Sequence, residues 1–254
     1  MVQAKKYLGQ HFLKDEEICL AIAEGMPEAE SDQKILEIGP GRGAITKYLI
    51  EKYPNLSVVE VDGDSISFLS ETYPTIDVID FDFLKLNLAE INEGKEFKIF
   101  GNFPYFISAQ ILIKIFENRN YVSEVVGMFQ KEVSEKVNAQ PGNRNYSIIS
   151  VFIQAFFTVE YLFTVPEDAF DPPPKVKSGV IRLVRNGVDS LEITDSTFKQ
   201  VVKLGFNQRR KTLRNSLKSI LPESVRGEAI LNKRPEQLEV QDFIDIGKMI
   251  ENNQ

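Results

Sequence analysis

Five short apolar runs, at 34–38, 56–61, 75–79, 97–100 and 124–129, recur along the first half of the chain, separated by stretches long enough for helices. Pairing such runs in parallel requires a long crossover, which a helix supplies while covering a face of the sheet. The alternation therefore predicts an α/β fold with a parallel, Rossmann-like sheet. Segments 43–53 and 107–117 carry apolar residues at helical spacing, and the second places Ile111, Ile115 and Phe116 largely on one side. Two later strand-like runs, 150–165 with an internal kink and 179–184, flank Phe170-Asp171-Pro172-Pro173-Pro174-Lys175. Three successive prolines exclude a regular ladder there and predict a stiff loop. Asn186 to Ser190 reads as a linker, after which helical patterning covers 196–204, 208–220 and a last helix beginning near Pro235. The expected division is an α/β domain over 1–188 and a small helical domain over 189–254.

A chain of 254 residues with 43% hydrophobic content can bury a full core. Its most hydrophobic stretch, 147–165, carries Gln154 and Glu160 and is rich in β-branched and aromatic residues, so it reads as buried strand and not as a membrane span. Lys5 and Lys6 lie in a mixed opening segment without the apolar core of a signal peptide. The single cysteine, Cys19, excludes a disulfide framework or cysteine-rich zinc site within the chain, and a cytoplasmic location is expected. Net charge is −7 and the isoelectric point about 5.0, which argues against a nucleic-acid partner. The distribution argues the other way. Lys199, Lys203, Arg209, Arg210, Lys211, Arg214 and Lys218 occur without an intervening acid, as a phosphate-binding face or a solvated helix surface requires.

At the end of the first apolar run stands Glu37-Ile38-Gly39-Pro40-Gly41-Arg42-Gly43. Such a loop turns tightly and admits a ligand against main chain where a Cβ would clash. Its glycines are spaced two and two, whereas a dinucleotide fingerprint has them two and three apart, so the spacing favours S-adenosylmethionine over NAD. Glu60, 21 positions after Gly39, is placed to accept from ribose hydroxyls, with Asp62 as its rival on the same strand face. Asp82, after the third run, is placed to accept from an adenine amino group.

After the fourth run comes Asn102-Phe103-Pro104-Tyr105. An exocyclic amine is a poor nucleophile because its lone pair is delocalised into the ring. If the Asn102 side-chain carbonyl and the Phe103 backbone carbonyl each accept one N–H, the nitrogen is held pyramidal with its lone pair directed outward. Pro104 keeps Phe103 extended, and Tyr105 offers a stacking face. This chemistry needs no metal, covalent intermediate or strong base. The motif alone leaves the acceptor open among adenine in DNA or RNA, guanine and a glutamine amide.

Several segments narrow that choice. Tyr7-Leu8-Gly9-Gln10-His11-Phe12-Leu13, the stretch Gly101 to Ser108, Gln130-Lys131-Glu132-Val133, Phe170 to Val176, and Phe206-Asn207-Gln208-Arg209-Arg210-Lys211-Thr212-Leu213-Arg214-Asn215-Ser216-Leu217 together resemble the KsgA family of small-subunit rRNA adenine dimethyltransferases, in order over nearly the whole chain. The resemblance implies a class I methyltransferase domain that transfers two methyls to each of two adjacent adenosines near the 3′ end of 16S rRNA, in a late pre-30S particle; separately, a monomer is expected. It further implies cofactor contacts at His11, Leu13, Gly39, Gly41, Glu60, Asp82 and Asn102. The base would lie on Asn102 and Tyr105, with Phe170 as a second stacking wall, and rRNA phosphates on Arg209, Arg210, Lys211 and Arg214. Two positions depart from the family: Phe103 where leucine is usual, and Ser147 where glycine more often follows the tyrosine. The rival readings are a large-subunit rRNA adenine methyltransferase, a ribosome-assembly binding factor with idle catalysis, and an NAD oxidoreductase.

Overall fold

The computed structural model describes residues 2–26, 30 and 32–253. In chain order its strands and α-helices are β1 (Phe12–Leu13), α1 (Glu16–Ala23), β2 (Ile35–Ile38), α2 (Thr46–Lys52), β3 (Leu56–Glu60), α3 (Gly63–Thr72), β4 (Asp77–Asp80), β5 (Phe97–Asn102), α4 (Ser108–Glu117), β6 (Val122–Gln130), α5 (Lys131–Asn138), α6 (Ile148–Gln154), β7 (Phe157–Val165), β8 (Phe170–Asp171), β9 (Ser178–Arg185), α7 (Asp195–Asn207), α8 (Leu213–Ser216) and α9 (Val240–Glu251). Seven strands form one sheet in the order β4-β3-β2-β5-β6-β9-β7. The five predicted strands are its parallel members, and β9 pairs antiparallel with β6. The chain thus has the class I methyltransferase fold, with β2 an interior strand beside the central β5 and buried throughout.

That order sets the site. Because β2 lies between β3 and β5 in parallel register, the carboxyl ends of all three strands emerge together. They carry the glycine loop, Glu60 and Asn102 to one edge of the sheet, where ligands of open α/β sheets bind. A salt-bridged group crosses the adjacent strands: Glu124 of β6 accepts from Lys98 of β5 and from Arg182 of β9, each at 2.6 Å. Both basic partners converge on one buried carboxylate, an arrangement that a shift of register would break.

The chain divides into two compact units, residues 1–135 with 158–185, which hold the sheet, and residues 136–157 with 186–254. The second unit has an aromatic core in which Phe152 packs on Phe198 and Phe206 lies between Tyr146 and Phe243, with ring centroids 5.8 to 6.1 Å apart.

Three expected elements differ from the observed ones. The run read as one kinked strand over 150–165 is helix α6 followed by β7. Helix α6 buries Val151, Phe152 and Ile153 on several sides, so it lacks the polar face that marks an amphipathic helix in sequence. The helix expected over 208–220 is interrupted: α7 stops at Asn207, Gln208 to Lys211 form a turn, and α8 spans only Leu213–Ser216. The six residues from Asn207 to Thr212 are all polar and offer nothing to bury. Pro235 opens a 3₁₀ turn, and the last α-helix begins at Val240, where the Glu239 N–H donates to Asp242 at 3.0 Å. Ser147 takes an extended backbone, φ −153° and ψ 179°, which any residue can adopt. Its N–H donates to the Ser150 hydroxyl at 2.9 Å, so the departure from glycine costs no strain and helps begin α6.

Candidate active site

A cavity of about 380 Å³ opens at the carboxyl ends of β2, β3 and β5, within the range of small-molecule sites. Its walls include His11, Leu13, Gly39, Gly41, Glu60, Asp82, Asn102, Phe103, Pro104 and Tyr105, which brings together all but one of the cofactor and amine residues expected from sequence.

The glycine loop forms the floor. Gly39 and Gly41 have φ of +64° and +55°, left-handed values that disfavour side chains. A Cβ on Gly41 would lie 2.7 Å from the Phe12 ring, whereas one on Gly39 would project into open space. Gly39 therefore has open space beside its main chain on the cavity wall. Glu60 is 6% exposed and binds three main-chain N–H groups, Gly41 at 3.1 Å, Val61 at 2.8 Å and Asp62 at 3.0 Å. Burial raises its pKa and the three amide bonds oppose that rise. Val61 and Asp62 share Oε1 while Gly41 alone binds Oε2, so Oε2 is the oxygen that keeps acceptor capacity for a further donor. Asp62 is placed otherwise. Strand β3 ends at Glu60, so alternation does not carry Asp62 to the same face; it caps α3 and takes Lys5, Gln10 and Ser65 as partners. Asp82 lines the cavity while capping a short turn through the Leu84 N–H at 2.9 Å.

At the other end, the Phe103 N–H donates to the Met128 carbonyl at 3.1 Å, prolonging the β5–β6 pairing one residue past Asn102. The Phe103 ring is buried against Phe129, with centroids 4.7 Å apart. It fills the space over Gly101 and Gly127, which face each other across the two strands, and a Cβ on either would come within 2.4 Å of it. Phenylalanine in place of leucine thus acts through packing that holds the Phe103 backbone. Asn102 donates its side-chain amide to the main-chain carbonyl of His11 at 3.0 Å. A carbonyl only accepts, so the Asn102 oxygen is the end left for another donor. His11 also donates Nδ1–H to the Pro172 carbonyl at 2.8 Å and stacks on Tyr105, with centroids 5.7 Å apart and planes inclined by 24°. The Tyr105 hydroxyl meets Ser178 at 2.6 Å, and burial raises its pKa, keeping the ring neutral.

Phe170 is not brought to the cavity. Within β8, Asp171 turns outward to Arg42 at 3.1 Å, so strand alternation sends Phe170 inward, where it is 1% exposed among Leu13, Val165 and Ala169. Glu37, the first residue of the glycine motif, also lines the cavity. It is fully buried, accepts from the Thr46 hydroxyl at 2.6 Å, and burial pushes its carboxyl up to about 8. Among the basic residues of the second unit, Arg210, Lys211 and Arg214 are exposed. Arg209 is half-buried, held by the Asn143 carbonyl at 3.3 Å and near Glu236 at 3.9 Å.

Comparisons with known proteins bear on the fold and the family. The chain is 50% identical over 253 residues to Ribosomal RNA small subunit methyltransferase A of Flavobacterium johnsoniae, covering 98% of this chain and 97% of that one. It is 49% identical to the protein of the same name from Bacteroides thetaiotaomicron, covering 99% of this chain and 95% of that one. A dimethyladenosine transferase from Plasmodium falciparum shares the fold with a TM-score of 0.79 at 24% identity, covering 93% of this chain and 96% of the other. The 23S rRNA methyltransferase ErmE shares it with a TM-score of 0.70 at 24% identity, covering 93% of this chain and 99% of the other. Fold and family imply S-adenosylmethionine as the methyl donor, and the bare main chain at Gly39 beside the buried Glu60 carboxylate suits its aminoacyl and ribose parts. The model of the family described as ribosomal RNA adenine dimethylase matches residues 1–252, and the chain belongs to that family.

Proposed function

We propose that this protein dimethylates the exocyclic amines of two adjacent adenosines near the 3′ end of 16S rRNA, within a late pre-30S particle in the cytoplasm, acting as a monomer. The observation that supports the chemistry is the Asn102–His11 contact, which engages the Asn102 nitrogen and leaves the oxygen of this cavity-lining residue to accept. S-adenosylmethionine, when bound, supplies an electrophilic methyl group. His11, Leu13, Gly39, Gly41, Glu60 and Asp82 are the residues that would hold it, together with the backbone of Asn102. The Asn102 oxygen and the Phe103 carbonyl accept the two N–H bonds of the target amine, and Tyr105 lies against the base. Each transfer replaces one N–H by N–CH₃, so the second proceeds with a single donor left to position. The small-subunit assignment is supported by the names of the relatives at about 50% identity.

The second unit supplies the proposed rRNA-binding part through Arg210, Lys211 and Arg214, with Arg209 as their anchor. Among the described residues no helix is long and apolar enough to cross a membrane. A competition assay tests the substrate choice: under-methylated small and large subunits are mixed with the protein and labelled S-adenosylmethionine. Label in small-subunit RNA is expected, and label confined to the large subunit would transfer the assignment to the rival methyltransferase class.

A further inference from the structure

Phe106 follows Tyr105 directly, lines the cavity, and is 65% exposed. Among the described residues only six large apolar side chains are exposed, and Val61 and Phe106 are the two of them on the cavity wall. Val61 adjoins Glu60 on the cofactor side, whereas Phe106 adjoins the amine motif. Its backbone belongs to a 3₁₀ turn, Tyr105–Ile107, closed by the Ile107 N–H donating to the Pro104 carbonyl at 3.2 Å. Its ring rests on the main chain of Gly9, where a Cβ would lie 2.9 Å from it. Gly9 has φ +62°, so glycine there both permits the turn and leaves the seat for the ring. An exposed phenylalanine on a fixed turn, seated on a glycine beside an acceptor for a base amine, presents a flat apolar surface with no protein group stacked over most of it.

We infer that Phe106 is a stacking platform for the nucleobase next to the adenine held at Asn102, a role distinct from Tyr105, whose hydroxyl is tied to Ser178 and whose ring is stacked on His11. The inference rests on the proposed function, in which the target has a purine neighbour. Tyr105 and Phe106 share one turn, and both line the same cavity as Asn102, so a base adjoining the one held there meets a wall that includes the Phe106 ring. Stacking accepts any base, so the platform orders the strand without reading its sequence. Phe170, buried in the core, offers no such surface.

The test titrates the full-length protein into ribo-oligonucleotides carrying an adenosine with 2-aminopurine on its 3′ or its 5′ side. 2-Aminopurine has no amine at C6, so the adenosine takes the Asn102 acceptor, and 2-aminopurine fluorescence falls when the base stacks. Quenching by the unmodified protein is expected on at least one side. Phe106→Ala should lose it and raise the dissociation constant about five-fold to a hundred-fold. Phe106→Tyr should restore both, and Phe106→Leu neither. Absence of quenching by the unmodified protein, or equal quenching by the alanine or leucine variants, overturns the platform. Methylation of under-methylated small subunits, run in parallel, separates the two readings. Label without Phe106-dependent quenching rejects the platform and leaves the proposed function standing. Phe106-dependent quenching without label keeps the platform and rejects that function.

Discussion

The side-chain amide of Asn102 donates to the main-chain carbonyl of His11 across 3.0 Å, and this one hydrogen bond occupies the amide nitrogen and leaves the oxygen as the end that can accept. Two substitutions separate the acceptor from its orientation. Asn102→Ala removes both and is expected to lower the methylation rate by at least about 10²-fold, the scale for losing one preorganised hydrogen-bonding group. Asn102→Asp keeps an acceptor but sets a carboxylate against the His11 carbonyl, and should lose most activity as well. Initial rates with labelled S-adenosylmethionine check both, and a near-normal aspartate variant would show that orientation by His11 is unimportant.

Glu60 and Asp62 should part company in binding. Glu60 lines the cavity, so Glu60→Ala is expected to weaken S-adenosylmethionine binding about ten-fold or more while altering RNA affinity less. Asp62 holds Lys5 and Gln10, and Asp62→Asn should act on the N-terminal segment, seen as faster amide exchange over residues 3–10. Calorimetric titration of cofactor into each variant is the measurement, and a larger loss in Asp62→Asn would move the ribose role to Asp62.

Exposure divides the basic cluster. Replacing Arg210, Lys211 and Arg214 together by alanine should reduce affinity for the small subunit and flatten the slope of log affinity against log salt by about 0.7–0.9 for each phosphate no longer neutralised. Arg209→Ala should act more on the stability of the second unit, because its guanidinium is bound to the Asn143 carbonyl. Filter binding over a salt series decides, and an unchanged slope in the triple variant returns this segment to an ordinary solvated surface.

Glu37 predicts a pH dependence. Burial pushes its carboxyl up to about 8, with the Thr46 hydroxyl opposing and Glu60 reinforcing the shift. The folded state then holds a proton that the unfolded chain has released, so Glu37 contributes a loss of stability as pH rises from about 4.5 to about 8 and no further change above. Glu37→Gln removes that titration, and its stability relative to the unmodified protein should increase across the same window. Urea denaturation of both proteins at several pH values checks this, and parallel curves would mean that Glu37 ionises alike folded and unfolded.

Much of this site was legible in the sequence because its residues sit at strand ends, and strands spaced by crossover helices announce themselves. The glycine loop, Glu60, Asp82 and Asn102 follow from that placement. What escaped depends on tertiary context. Whether Glu60 or Asp62 faces the cavity turns on β3 ending at residue 60, which periodicity does not report. The inward turn of Phe170 goes with its packing in the core cluster beside Leu13 and Val165, while Asp171 meets Arg42, 129 residues away in sequence, on the outer side. Helix α6 read as strand because a helix buried on several sides has no polar stripe to reveal its period. The Asn102–His11 bond joins a side chain to a main-chain carbonyl 91 residues distant, and no motif encodes it.

Whether Asn102 directs the methylation of small-subunit adenosines is decided by incubating the protein and its Asn102→Ala variant with under-methylated small subunits and labelled S-adenosylmethionine. The label is then located by nuclease digestion and mass spectrometry. Dimethyladenosine at two adjacent positions near the 3′ end of 16S rRNA is expected for the unmodified protein, and none for the variant although it still binds the particle. Tight binding without label by the unmodified protein, or the same two dimethyladenosines made by the variant, would refute that role.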